Sequence, residues 1–412
     1  MPDRMPDRMP DRRVVVTGLG AVSSIGIGAD AFTAALRAGA TGTGPVTGFD
    51  STGFPAVMAG EVRDFDPYRI LRTIDPARWG RSAQFAAAAG RLAAQDAGLD
   101  PRELAAVRAG AIIGTTTGEA VAAQDLVGQW VKDGPRYLDP ALVAQASADR
   151  IAAAVSSELG LTGDTQTVPT ACSASNFALG YAYDLVRTGE CDVMIAGGAD
   201  SVNRLTHAGF YRLGALSEDV CRPFDADRGG IITGEGGAAL LLEPLDRAAA
   251  RGARIYAEVL GYGMNCDAAH MVHPDVDGIA ECIRLAHRSA GVSPEDIDYI
   301  CAHGTGTPTN DATEVAAIRA VFGDRLPPVS SVKSMIGHTM GAASGFGAIA
   351  CCRGLYDGFL PPTANLRVPD PALGPGLDCV PGRARPARPK VVQNHGFAFG
   401  GNNVITVLGR VA

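Results

Sequence analysis

Short apolar runs alternate with longer stretches of small residues along most of the chain, and their periods separate strands from helices. Val14–Gly18, three valines and a threonine closed by glycine, predicts a short buried strand. The stretch from Gln84 to Gly98, QFAAAAGRLAAQDAG, has the alanine content and spaced polar positions of a packed helix with a glycine stop. Ala111–Gly114 predicts a second strand, running into a threonine- and glycine-rich turn. From Thr167, TVPTACSASNFALGYAYDLVRTGECDVMIAGG reads as strand end, tight turn, helix, polar break and a further strand at Asp192–Ala196. The same order returns about 160 residues later in PVSSVKSMIGHTMGAASGFGAIACCRGLYDGFLPP, from Pro328. Two such units predict a duplicated α/β chain. The joint falls near Ala257, where RIYAEVLGYG echoes the opening RRVVVTGLG. The expected division is a tail over 1–12, one half over 13–257 and the other over 258–412. The tail is a tandem Met-Pro-Asp-Arg repeat whose prolines and mixed charge predict disorder.

Composition narrows the class. Of 412 residues, 46% are apolar and 19% charged, enough for a sizeable core. No apolar run approaches the roughly 18 residues of a membrane span, and the polar start lacks the apolar segment of a secretory signal. A cytoplasmic protein without membrane association is expected. The formal charge of −8 argues against nucleic acid as a partner. Nine cysteines without CxxC spacing argue against a disulfide framework or a zinc site. His270 and His273 form an HxxH pair with no third ligand in sight, so no metal is expected. GLGAVSSIG, from Gly18, lacks both the GxGxxG spacing and the following acidic residue of a dinucleotide site. The only lysines are Lys132, Lys333 and Lys390, so Lys333 stands where arginine is the default.

The candidate chemistry centres on a few residues. Cys172, in TACSAS, follows a strand and opens an apolar helix, where free N–H groups and the helix dipole favour a thiolate and an adjacent oxyanion. Its small neighbours Ala171, Ser173, Ala174 and Ser175 leave room for an acyl chain. His303 lies in AHGTGTPTND, a loop in which Thr305 and Thr307 offer hydroxyls to a polar substrate tail. His338, in SVKSMIGHTMGAASG, occupies the region of the second repeat that corresponds to Cys172 in the first. Lys333 precedes it by five residues and is expected inside the protein, with Glu314 as its counter-charge. In NHGFAFGGNN, glycines at 396, 400 and 401 are expected to free a backbone N–H for an oxyanion hole shared with the amide of Cys172.

Taken in order, TACSAS, RPFDADRGGIITGEGGAALLLE, AHGTGTPTND, SVKSMIGHTMGAASG and GFAFGGNN resemble the β-ketoacyl-acyl carrier protein synthases of the type I/II class, including ketosynthase subunits of type II polyketide systems. The resemblance covers nearly the whole chain after Arg13. It implies an α/β fold, the thiolase-like five-layered αβαβα sandwich of two duplicated halves. It implies decarboxylative condensation of a Cys172-bound acyl chain with malonyl-acyl carrier protein. Cys172 matches the acylated nucleophile, His303 and His338 the pair that promotes decarboxylation, Lys333 the lysine organising them and Glu314 the carboxylate nearby. Phe399 matches the gating phenylalanine whose amide completes the oxyanion hole, with Gly400 beside it at the substrate. Thr305 and Thr307 match hydroxyls that face a phosphopantetheine arm brought by the carrier, so no resident cofactor is implied. Thr117 and, across a dimer interface, Leu142 fall at the acyl pocket. Arg72, Arg78, Arg81 and Arg136 are candidates for a patch that meets the acidic carrier. The resemblance also implies a dimer, with either an identical chain or a related ketosynthase-like or chain-length-factor subunit as the mate. Ala398, where glycine is usual, implies a stiffer gate. A polyketide or polyene chain is the preferred substrate, with fatty acid elongation as the alternative. A thiolase would need a second cysteine in the C-terminal glycine loop, and a chain-length factor would lack Cys172.

Overall fold

In the computed structural model, which describes residues 11–411, these patterns resolve into ten principal strands. The first half contributes β1 (Val14–Ser23), β2 (Ala109–Gly114), β3 (Thr165–Val168), β4 (Val193–Asp200) and β5 (Gly236–Pro244). The second contributes β6 (Ala257–Cys266), β7 (Tyr299–Cys301), β8 (Val329–Ser330), β9 (Val391–Phe397) and β10 (Asn402–Gly409). Their spatial order is β8-β7-β9-β10-β6-β1-β5-β4-β2-β3. Read outward from the central pair, each half has the same sequence of strands and the same mixture of parallel and antiparallel neighbours. The halves meet where β1 and β6 pair antiparallel, Val14 opposite Val259, with Arg13 gripping Glu258 through two hydrogen bonds.

Six helices layer this sheet. α1 (Arg81–Asp96) and α2 (Arg150–Leu159) cover the outer face of the first half, and α4 (Val276–Ala290) and α5 (Pro308–Phe322) the second. Between the half-sheets lie α3 (Ala174–Arg187) and α6 (Ala343–Asp357), each touching strands of both halves. α6 is buried from Ala343 through Leu355, the all-round apolar helix expected of a central layer. The result is the five-layered αβαβα sandwich. Among the described residues no helix is long and apolar enough to cross a membrane.

Where expected elements differ from observed ones, long-range contacts account for it. α1 starts at Arg81 because the Glu119 carboxylate, distant in sequence, accepts the N–H groups of Ser82 and Ala83. β1 runs to Ser23 rather than stopping at Gly18. Gly18 and Gly20 sit where a Cβ would come within 2.1 and 1.9 Å of the Ala93 and Ala89 carbonyl oxygens of α1. These glycines let strand and helix approach; they do not end the strand. Of the expected tail, Asp11 and Arg12 are docked, Asp11 on Arg187 and Arg12 on Asp192. Residues 1–10 of the repeat lie outside the described residues.

Asp200, fully buried at the end of β4, joins the two halves. Its carboxylate accepts from Thr115 Oγ1, the amides of Thr116 and Thr117, and the amide of Gly341 in the other half. Asp200→Ala strands several buried donors at roughly 1–3 kcal/mol each. Chemical denaturation should show a loss of about 3 kcal/mol or more, and a smaller loss for Asp200→Asn, which keeps one acceptor oxygen.

Candidate active site

Cys172 sits in a one-turn 3-10 segment, Ala171–Ser173, that runs directly into α3. Ala171 has φ +52°, a left-handed conformation uncommon for alanine, which turns the chain sharply between β3 and α3. The second half repeats this bend at Met340, also φ +52°, ahead of α6. Cys172 is buried, and burial lifts its thiol to about 12, opposed by the positive charge of Lys333. Burial thus works against the ionisation that the helix N-terminus and Lys333 favour.

His303 and His338 lie beside each other, ring centroids 5.5 Å apart and nearly perpendicular. His338 Nδ1 accepts the Met340 N–H at 3.1 Å, so its remaining hydrogen is on Nε2. Lys333 Nζ donates to the His303 carbonyl and stands 3.5 Å from His303 Nδ1, which likewise leaves His303 with Nε2–H. Burial holds both imidazoles well below the usual histidine range, and Lys333 adds to the effect. Burial also lowers Lys333, against the pull of nearby Cys301 and Glu314. Two neutral imidazoles with Nε2–H donors, beside a thiol, can stabilise an oxygen that gains negative charge.

Glu314 offsets the charge of Lys333 from a distance and also anchors the histidine loop. It makes no ion pair with Lys333 among the described residues; its carboxylate accepts the amides of His303 and Gly304, each at 2.8 Å, and His395 Nδ1 at 2.8 Å. Asp311 does the same one turn earlier on α5, accepting the amides of Thr305, Gly306 and Phe224. The histidine loop therefore hangs from two buried carboxylates of α5. Sequence reasoning missed Asp311 and His395, although both lie inside motifs it quoted.

Cys172, His303 and His338 share a cavity of about 300 Å³ with Thr305, Thr307, Phe397 and Phe399. The Thr305 and Thr307 hydroxyls bond each other at 2.9 Å. Phe399 is partly exposed and packs on Phe210 at 5.6 Å, forming one wall. Gly400 is not the free donor expected: its N–H goes to the Met271 carbonyl, and that of Gly401 to Ala398, while Phe399 N–H takes part in neither bond. Thr117 bonds Asp200 and stands outside this lining, as does Leu142, half-buried on the helix Pro140–Gln145. Arg81 is also corrected. Its guanidinium grips the buried Glu235 through two hydrogen bonds and so is not free for a partner. Arg72, Arg78 and Arg136 are exposed. His270 and His273 stack at 4.3 Å at the cavity mouth, and His270 Nδ1 is taken by the amides of its own turn.

Comparison with known proteins agrees with this geometry. Residues 11–248 match the family described as beta-ketoacyl synthase, N-terminal domain, and residues 256–367 the corresponding C-terminal domain. The 3-oxoacyl-[acyl-carrier-protein] synthase 2 of Coxiella burnetii is 39% identical over 97% of this chain and 99% of its own. The solved structure of the ishigamide ketosynthase/chain length factor superposes with a TM-score of 0.95 at 50% identity, covering 98% of this chain and all of that one. A type II PKS acyl-carrier protein in complex with its ketosynthase bound to the hexaketide gives 0.89 at 31% identity, covering 97% and 100%.

Two predictions follow from the electrostatics. Because both imidazoles are held neutral, the rate of malonyl decarboxylation should stay flat between about pH 6 and 8, without a limb near the ordinary histidine value of about 6.5. In a Cys266→Ser background, which removes the exposed thiol, the rate of Cys172 alkylation followed by mass spectrometry should still be rising above about pH 9.

Proposed function

We propose that this chain, which belongs to the beta-ketoacyl synthase family, is the catalytic ketosynthase of a type II polyketide system and works paired with a related chain-length-factor subunit. Condensing acyltransfer is the activity of the family. The observation that carries the finer reading is the likeness, 50% identical over nearly the whole chain, to a ketosynthase/chain length factor, against 39% for the 3-oxoacyl-[acyl-carrier-protein] synthase 2.

The site supports a two-stage reaction. Cys172 Sγ attacks the acyl thioester of the carrier, the amides of Cys172 and Phe399 hold the oxyanion, and the carrier leaves as its thiol with the cysteine proton. Malonyl carrier then enters, its arm lying along Thr305 and Thr307. As carbon dioxide departs, the Nε2–H groups of His303 and His338 hold the enolate oxygen. The enolate carbon attacks the acyl-Cys172 carbonyl, and collapse of the adduct releases the β-ketoacyl carrier and a Cys172 thiolate, which takes up one proton from solvent. The arm arrives with the carrier, so the protein needs no organic cofactor or metal of its own.

Two surfaces fit the partners. The edge strand β3 exposes Thr165 and Gln166 and has one side unpaired among the described residues. In the segments preceding it, Val127, Trp130, Val131, Tyr137 and Val143 are all more than half exposed, an apolar area suited to a subunit interface. Arg72, Arg78 and Arg136 supply positive charge for an acidic carrier, without Arg81.

The test is to supply acyl and malonyl carriers to the protein alone and to its complex with a chain-length-factor subunit, and to follow product and carbon dioxide by mass spectrometry. The complex should extend the chain and the isolated protein should not. Cys172→Ala should release carbon dioxide without forming product. Full elongation of saturated chains by the isolated protein would instead identify a fatty acid synthase.

A further inference from the structure

Behind the histidine loop lies a chain of buried polar side chains that the reaction above does not use. β9 alternates its side chains between layers: Asn394 faces the centre and bonds Asn176 and the Ser344 carbonyl, whereas Gln393, His395 and Phe397 face the other way. On that face His287, from α4, meets Gln393 Oε1 at 2.8 Å. Gln393 Nε2 meets His395 Nε2 at 2.7 Å, and His395 Nδ1 meets Glu314 Oε1, on α5, at 2.8 Å. All four side chains are at most 5% exposed.

One assignment of hydrogens fits all three contacts. Glu314 accepts from two backbone amides, so the hydrogen between it and His395 is on His395 Nδ1. His395 Nε2 is then the acceptor for the amide hydrogens of Gln393, and Gln393 Oε1 accepts from His287 Nε2–H. The chain thus runs donor to acceptor from α4 to the Glu314 carboxylate, each group satisfied. Carboxylates bound this way are fixed in orientation, and Glu314 is the group from which the amides of His303 and Gly304 hang. Phe397, on the same face, adds a steric limit, with ring centroids 5.2 Å from His395 and 5.6 Å from His303.

We propose that His395 is a positioning residue for the decarboxylative half-reaction: held by Gln393 and His287, it fixes Glu314 and thereby the placement of His303 opposite Lys333. A carboxamide cannot readily pass protons along such a chain, so its part is orientation and not proton supply. The Cys172 turn takes no hydrogen bond from this chain of side chains: Ser173 Oγ donates to the Thr170 carbonyl and Ser175 Oγ to the Gly341 carbonyl, and β9 meets the turn through its opposite face, at Asn394 and Gly396, so acylation of Cys172 should depend on it much less. The proposal depends on His303 serving the malonyl step, as put forward above.

The two half-reactions are measured separately on the active protein, in complex if the complex is the active form: acylation of Cys172 by intact mass, and carbon dioxide release from malonyl carrier. His395→Leu removes the donor to Glu314. It should lower kcat for carbon dioxide release by about ten- to a hundredfold, the scale of a misplaced reacting group, with KM and the acylation rate within about threefold of native. His395→Asn places an amide hydrogen where Nδ1–H stood and should recover most of the rate. Gln393→Met, which leaves the imidazole in place without its partner, should give the same selective loss to a smaller degree and serves if His395→Leu does not fold. Unchanged carbon dioxide release in the Leu and Met variants, equal loss of both half-reactions, or an Asn variant as slow as Leu would overturn the proposal. His303→Ala is the control: if it decarboxylates normally, the reading of His303 fails, whatever the His395 variants do.

Discussion

The burial of one ammonium group governs the arrangement of the site. Lys333 is only 2% exposed, and an isolated charge at such depth costs several kcal/mol. It is tolerated because carbonyl and imidazole acceptors of His303 lie against it and Glu314 sits near enough to offset its charge. Its presence in turn makes a second positive charge nearby unfavourable. That is a physical reason for His303 and His338 to stay neutral, and neutral imidazoles with Nε2–H are the form that can hold an enolate. Moving Lys333 to the surface would remove the charge that reinforces burial in keeping both neutral.

A carboxylate that balances a buried lysine and also anchors a loop cannot have freedom to rotate. Glu314 meets this through three donors, two from the loop it holds and one from His395. Asp311 and Asp200 follow the same rule elsewhere, each saturated largely by backbone amides. Three buried acids thus replace the rigidity that a glycine-rich loop cannot supply by itself. Pre-organisation of the donors costs nothing further when charge develops in the cavity.

Much of this was legible in the sequence, and the exceptions have a common cause. The repeated strand-turn-helix pattern disclosed the two halves, and the settings of Cys172, His303, His338 and Lys333 marked the residues the fold brings to one cavity. Glycine misled in β1, where the close packing of α1 rather than a turn requires it. Arg81 and Gly400 looked available because an arginine on a polar stretch and a glycine in a turn ordinarily are, but Glu235 and Met271, distant in sequence, occupy them. The role of His395 was hidden for the same reason: its partners come from α4 and α5, and no local spacing records which layer a strand residue faces.

Duplication also explains why one half carries the nucleophile and the other does not. Both bends before the central helices use a non-glycine residue at φ +52°, followed by Cys172 in one half and Gly341 in the other. A Cβ at Gly341 would come within 2.5 Å of the Thr115 backbone and 2.7 Å of Asp200 Oδ2. The second bend is therefore pressed against the seam that the first half builds, and its amide is committed to Asp200. Only one of two equivalent bends can leave space for a side chain, since the groups that clamp one to the other fill that space. The asymmetry of the site follows from how tightly Asp200 and Thr115 of one half close on Gly341 of the other.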